Sequence, residues 1–188
     1  MRLILASQSP RRRSLLEEAG YAFEVITPSD SAEGGMCSGE TAAAMVARFG
    51  RQKAEDVAQN IQEGIVIGGD TVAECQGQIL GKPRDQDHAE QMLRLLRGKE
   101  HFVHSGLCLW KRPGDQFDVS VDTTKLFMQD ISDEQLQEYL EGDQWIGKAG
   151  AFGYQDRTGW LEIVEGSESN VVGLPMELLK RMLAAITD

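Results

Sequence analysis

Apolar positions along the chain switch repeatedly between strand and helix spacing. Residues 2–5 form a short Leu/Ile run suited to a buried strand. Ser9 and Pro10 then supply a helix cap and a first-turn proline. Leu15, Leu16 and Ala19 recur at helical spacing, so a helix is expected over 11–19, stopped by Gly20. Residues 23–27 read as a second strand and 28–39 as a polar, small-residue loop. A long helix is expected over 40–60, with Ala43, Met45, Val46, Phe49 and Val57 on one side. Gly50 weakens it by about 1 kcal/mol relative to Ala and marks a place for a kink. Ile65-Val66-Ile67-Gly68-Gly69-Asp70 is a short buried strand ending in glycines and a carboxylate; residues 71–75 stay extended, and Gly77-Gln78 suits a hairpin turn.

The second half is read in the same way. A helix over 85–97 stops at Gly98, and strands 101–110 and 117–128 flank the turn Pro113-Gly114-Asp115. Ser132 and Gln135 form a capping box that opens a helix through Leu140. Residues 147–153 are glycine-rich loop, 160–164 a strand and 165–173 a polar loop. Pro175 starts a final amphipathic helix with Leu178, Leu179, Met182, Leu183 and Ile186 facing inward. Helices alternate with strands, but a hairpin interrupts them. The expected fold class is α/β, with a mixed sheet flanked by helices in a single domain over residues 1–188.

Composition narrows the functional classes. A chain of 188 residues at 41% hydrophobic content can bury one good core. No apolar run approaches the ~18–20 residues that span a bilayer. The N-terminal apolar stretch is too short for a signal peptide and runs into arginines rather than a cleavage site, so a soluble, cytoplasmic protein without a membrane partner is expected. Three scattered cysteines (Cys37, Cys75, Cys108) with no CxxC argue against a disulfide framework or zinc site. Lys plus Arg number 19 against 30 Asp plus Glu, a net charge of −11, which repels nucleic-acid backbones. A small anionic ligand stays open if the scarce cations converge.

Arg11, Arg12 and Arg13 crowd a helix N-terminus, where free N–H groups and the helix dipole already favour negative charge. An anion held by loop amides, Ser7, Ser9 and the arginines would resolve that conflict; a solvated basic turn is the bland alternative. Asp70 follows two glycines that let other groups approach the backbone, and it either caps the next turn or acts on a metal or water. An ordinary carboxylate, with a pKa of ~4, is a poor base for bulk water, so a catalytic Asp here implies a divalent metal that lowers the pKa of the water. Gly81-Lys82-Pro83 is not a Walker A loop, since Pro83 stands where Ser or Thr would bind magnesium. Lys82 in that rigid turn could still reach a phosphate as a point charge, or be merely solvated. Lys148 and Gln155 bracket a small-residue loop suited to a flat ligand. Gln155 offers an acceptor and a donor that match the N3–H and O4 edge of uracil or thymine, or it is a surface amide. His101 and His104, three apart in a strand, point to opposite faces and cannot pair as ligands. No Ser-His-Asp or Cys-His arrangement supports a covalent nucleophile.

Taken in order, these segments resemble the Maf family of nucleoside triphosphate pyrophosphatases, also called septum formation inhibitor proteins. The resemblance rests on Leu5-Ala6-Ser7-Gln8-Ser9-Pro10-Arg11-Arg12, Lys53-Ala54, Gly69-Asp70-Thr71-Val72, Gly81-Lys82-Pro83, the run from Lys148 to Gly153 with Gln155, and the run from Asn170 to Pro175. It implies an elongated, two-lobed α/β molecule with a central cleft, similar to the inosine triphosphate pyrophosphatases. It also implies metal-assisted (Mg2+ or Mn2+) hydrolysis between the α- and β-phosphates. By the same resemblance Asp70 activates water and holds the metal, and Ser7, Arg12, Lys53, Lys82 and Lys148 bind substrate. Arg11, Thr71 and Gln155 stand at the specificity positions and resemble the branch acting on dTTP and UTP, with modified pyrimidine nucleotides as further substrates. A homodimer is a family-level expectation. The chain departs from the family pattern at Gly69, where Ala is common, and at Glu168, where an aromatic is frequent. Asp30 or Glu33 would have to replace the usual acidic pair ahead of the long helix.

Two functions compete on this reading: an enzyme that clears pyrimidine nucleotides from the pool, with a link to cell-division arrest, and a non-catalytic nucleotide-binding regulator of septum formation. A phosphatase releasing the γ-phosphate is a third. They differ in their need for Asp70 and in their products.

Overall fold

The computed structural model describes residues 2–32, 34, 35, 37–156 and 158–187. Its strands are β1 (Leu3–Ala6), β2 (Phe23–Val25), β3 (Gly64–Cys75), β4 (Gln78–Leu80), β5 (Glu100–Arg112), β6 (Gln116–Met128) and β7 (Leu161–Glu165). They form one sheet in the order β2-β1-β3-β5-β6-β7, with β4 paired to β3. β1 runs parallel to β2 and β3, whereas β3–β4 and β6–β7 are antiparallel. The sheet is therefore mixed, as the interrupted alternation predicts. The helices among the described residues are α1 (Pro10–Glu18), α2 (Ala42–Ala58), α3 (Gln86–Leu96), α4 (Asp133–Glu141), α5 (Glu168–Val172) and α6 (Met176–Thr187). No helix among the described residues is long and apolar enough to cross a membrane.

The chain divides into two compact units. The first comprises Met1–Asp70, Ser105–Asp122 and Gly173–Asp188. β1 and the start of β3 are buried on both faces, which is why they read as unbroken apolar runs. Side chains of alternate residues go to opposite faces. Leu3, Leu5, Ile65, Ile67, Leu107 and Leu109 pack with Leu16 of α1 and Leu179 and Met182 of α6. Ile4, Ala6, Val66, Cys108 and Trp110 pack with Ala54 and Val57 of α2. Ser9 caps α1 by accepting from the Arg12 amide (3.4 Å), with Pro10 in the first turn. Thr41 caps α2, accepting from the Ala44 amide at 3.2 Å.

Glycines set how closely α2 lies on the sheet. A Cβ on Gly68 would stand 2.7 Å from the Ala54 amide nitrogen, and one on Gly106 would stand 2.5 Å from that of Ala47. Gly50, expected as a kink, lies within an uninterrupted α2, and its own Cβ would meet the Gly106 carbonyl at 3.0 Å. Helix backbone thus rests directly on strand backbone.

The second unit comprises Thr71–His104 and Thr123–Val172. Its core gathers Ala73 and Cys75 of β3, Leu93 and Leu96 of α3, Leu126 and Met128 of β6, and Leu136 and Tyr139 of α4. The capping box is present: Ser132 Oγ accepts from the Gln135 amide (3.2 Å) and Gln135 Oε1 from the Ser132 amide (2.9 Å).

Three expectations shift. The apolar run 65–70 and the extended stretch after it are one strand, so Asp70 sits mid-strand rather than at a strand end. The β3–β4 turn falls one residue earlier than expected, on Gln76 (φ 52°) and Gly77 (φ 78°), because a two-residue hairpin loop of this hand needs positive φ at both positions. Residues 168–172, expected as loop, form α5, too short to show a helical period.

Burial also fixes the histidine and cysteine chemistry. Burial pushes the Cys108 thiol up to about 12 and raises that of Cys75, so neither is set up as a nucleophile; Cys37 is exposed, and all three cysteines are free. His101 on β5 is buried, which holds its pKa down to about 4 against an ordinary 6.5. Between these values the unfolded chain binds the extra proton, so stability is complete above pH ~6.5 and falls as pH drops toward 4. The contribution at stake is about 3 kcal/mol. Urea unfolding of the wild type and His101→Gln at pH 7 and pH 4.5 should show a clearly shallower acid loss in the variant; parallel losses would mean that His101 is not the group responsible.

Candidate active site

In the first unit, four of the expected site residues gather around the same stretch of β3, in two pairs. Ser7 follows β1, and its Oγ accepts from the Ser9 amide (3.1 Å) and from Arg12 Nη1 (3.2 Å). Arg12, on the first turn of α1, is only 8% exposed, and its Nε donates to the Gly173 carbonyl at 2.7 Å. A Cβ on Gly69 would point toward this guanidinium, 3.6 Å from Nε. The neighbouring Gly68 faces α2 instead, so Arg12 and Lys53 reach β3 from its opposite faces. Lys53, equally buried, donates through Nζ to Asp70 Oδ1 at 2.7 Å and lies 3.5 Å from the Gly69 carbonyl. Arg11, the neighbour of Arg12, is half-buried.

The close seat of α2 explains the ion pair. Were the helix lifted by even one side-chain layer, Lys53 could not span to Asp70. The two glycines before Asp70 therefore do different jobs: Gly68 admits the helix, and Gly69 lies beneath the arginine.

The second unit holds the remaining residues. Thr71 follows Asp70 on β3 and is half-buried. The amide of Gly150 donates to the Gly81 carbonyl (3.0 Å), which ties the 147–153 loop to the turn that bears Lys82. A Cβ on Gly150 would meet Ala73 Cβ at 3.1 Å, so β3, the Lys82 turn and the glycine-rich loop are neighbours in this unit. Lys82 is exposed. Lys148 is buried and ion-paired with Asp156. Gln155 is exposed, with its amide folded over Gly153, where an added Cβ would come 2.6 Å from Nε2.

Sequence reasoning missed two participants. The Gly173 carbonyl holds Arg12 from 161 residues away, and a backbone acceptor leaves no mark on side-chain patterns. Asp156 neutralises Lys148; the only clue was that a lysine in a small-residue loop needs a counter-charge when buried. Asn170, part of the expected motif, is buried and donates to the Val103 carbonyl (3.2 Å) and Thr124 Oγ1 (2.9 Å), which fastens α5 to β5 and β6. Of the acidic residues considered ahead of α2, Asp30 is exposed in a short 3-10 turn, and Glu33 lies outside the described residues. Among the described residues no group of three or more His, Cys, Asp or Glu could hold a metal ion. One carboxylate such as Asp70 is still a donor set that suits Mg2+, which commonly takes one or two carboxylates with the rest of its shell from substrate phosphates and water.

The architecture is that of the Ham1 proteins. The Staphylococcus aureus Ham1 protein matches 98% of this chain and 99% of its own at a TM-score of 0.56 and 14% identity. The Coxiella burnetii HAM1 protein matches 98% and 99% at a TM-score of 0.54 and 12% identity. Within that fold the chain belongs to the Maf-like protein family, whose model spans residues 2–186. Among its relatives, the dTTP/UTP pyrophosphatase of Rhodopirellula baltica is 57% identical over 182 residues, covering 96% of this chain and 80% of the relative. The dTTP/UTP pyrophosphatase of Carboxydothermus hydrogenoformans is 39% identical over 184 residues, covering 97% of each.

Proposed function

We propose that the protein hydrolyses dTTP and UTP, and modified pyrimidine nucleotides, to the monophosphate and pyrophosphate. The observation that carries this reading is the gathering of Ser7, Arg12, Lys53 and Asp70 around one stretch of β3, with buried Lys53 paired to Asp70 and buried Arg12 reaching the same stretch from the other face, in a chain of net charge −11. Supporting it are the family and the names of relatives that share most of the chain's length. Arg12 and Lys53, with Ser7, take the phosphates, and Lys82 and Lys148 add further contacts. A guanidinium and an ammonium set in place beforehand stabilise the charge that shifts onto the leaving pyrophosphate, without waiting for solvent to reorganise. Asp70, held by Lys53 through Oδ1, accepts the proton of the attacking water. A divalent ion held by Asp70 and the phosphates would lower the pKa of that water and offset phosphate charge. Arg11, Thr71 and Gln155 select the base, with Gln155 accepting from N3–H and donating to O4.

Product analysis tests the whole reading. With Mg2+ and dTTP or UTP, purified protein should release pyrophosphate and the monophosphate. Orthophosphate alone would make it a γ-phosphatase, and binding without turnover would make it a regulator. Gln155→Glu should lower kcat/KM for dTTP by about 5- to 150-fold, the worth of one polar group left without its partner. Unchanged discrimination between dTTP and dGTP would remove Gln155 from base recognition.

A further inference from the structure

The mechanism above makes no use of a buried carboxylate in the second unit, Asp156. Its side chain is 7% exposed and collects three donors, one from α4 and two from the glycine-rich loop. Oδ1 accepts from Lys148 Nζ. Oδ2 accepts from the Tyr139 hydroxyl of α4 at 2.8 Å and from the Gly153 amide at 3.2 Å. Tyr139 is itself set by aromatic contacts with Phe152 (5.0 Å between centroids) and Trp160 (5.6 Å). Burial and the adjacent carboxylate push its phenol upward, so it stays a neutral donor at any working pH. A buried charge is costly unless its hydrogen bonds are met. Here they are met by partners that all bear on the 147–155 loop.

Asp156 closes that loop twice. Its amide donates to the Gly153 carbonyl (3.1 Å) while its carboxylate takes the Gly153 N–H, so residues 153–156 form a turn locked at both ends. Gln155 lies inside this turn with its amide packed on Gly153. We propose that Asp156 is a positioning residue for base recognition, which fixes the Lys148 ammonium and the Gln155 amide through one carboxylate. The proposal rests on the reading of Gln155 as the pyrimidine reader. Asp156 itself touches no substrate. It cuts the freedom that Gln155 and Lys148 would otherwise lose on binding, and preorganisation of this kind is read in KM and in discrimination.

The test is Asp156→Asn, which keeps the shape and one acceptor but loses the charge, with Tyr139→Phe as a milder variant that removes one donor outside the loop. Asp156→Asn should raise KM for dTTP about tenfold with kcat within about threefold, and should lower the preference for dTTP over dGTP by a similar factor. Tyr139→Phe should shift both in the same direction by less. In a Gln155→Ala background Asp156→Asn should add little, because the two act as a unit. Hydrogen exchange at the Gly153 amide should speed up in Asp156→Asn without loss of protection in β1 and β3. A purely structural role would lower stability and active fraction but leave KM and the base preference unmoved, and that result would overturn the proposal. So would wild-type turnover of dTTP with full additivity in the double variant. A wild type that neither binds nor hydrolyses dTTP would sink the pyrimidine reading, and this proposal with it.

Discussion

Asp70→Asn should retain nucleotide binding and lose pyrophosphate release by about 10²–10⁴-fold, the usual worth of a positioned general base. Asn keeps the shape of the side chain and an oxygen for Lys53 Nζ, which now donates to Asp70 Oδ1 at 2.7 Å. The fold therefore has little reason to respond, whereas the oxygen that accepts a proton or a metal is gone. Asp70→Ala is the contrasting variant. It strips the carboxylate from a lysine whose side chain is 10% exposed, and breaking a largely buried pair costs about 3 kcal/mol. Melting curves should thus separate the two substitutions while turnover does not. Calorimetric binding of dTTP alongside pyrophosphate release checks the first claim. Asp70→Asn with wild-type turnover would end the catalytic assignment and favour a site that holds nucleotide without hydrolysing it.

Much of this site was legible because its parts are announced by local chemistry. Ser9 and Pro10 mark the start of α1 and so place Arg12 in a first turn, where acids are the rule and a buried arginine demands explanation. The apolar run into Gly68-Gly69-Asp70 marks a strand buried on both faces, whereas Lys53 enters only through the family resemblance, since the period of α2 does not single it out. What stayed hidden lies where no period exists. The partner of Arg12 is a carbonyl, and that of Lys148 is a carboxylate eight residues on in irregular chain. The glycines of β3 were read as a strand ending, since from sequence alone a glycine that admits a helix looks like one that breaks a strand.

That last ambiguity gives the sharpest stability test. Gly68→Ala should destabilise the protein by about 3 kcal/mol or more, because the new methyl would enter helix backbone, 2.7 Å from the Ala54 amide nitrogen. Neither strand nor helix can move a rotamer out of the way, so α2 must lift as a body. Lifting α2 carries Lys53 away from Asp70, and turnover should fall even at temperatures where the variant remains folded. Gly69→Ala is the matched control one residue along the same strand. Its methyl would stand 3.4 Å from the Gly106 carbonyl and 3.6 Å from Arg12 Nε, ordinary contact distances at a φ outside the glycine-only region. Less freedom in the unfolded chain should then leave stability unchanged or raise it by up to about 1 kcal/mol. Urea denaturation of the two variants, with dTTP turnover measured in parallel, decides the matter. Equal effects would mean that α2 does not owe its seat on the sheet, or the Lys53–Asp70 pair, to the missing side chain of Gly68.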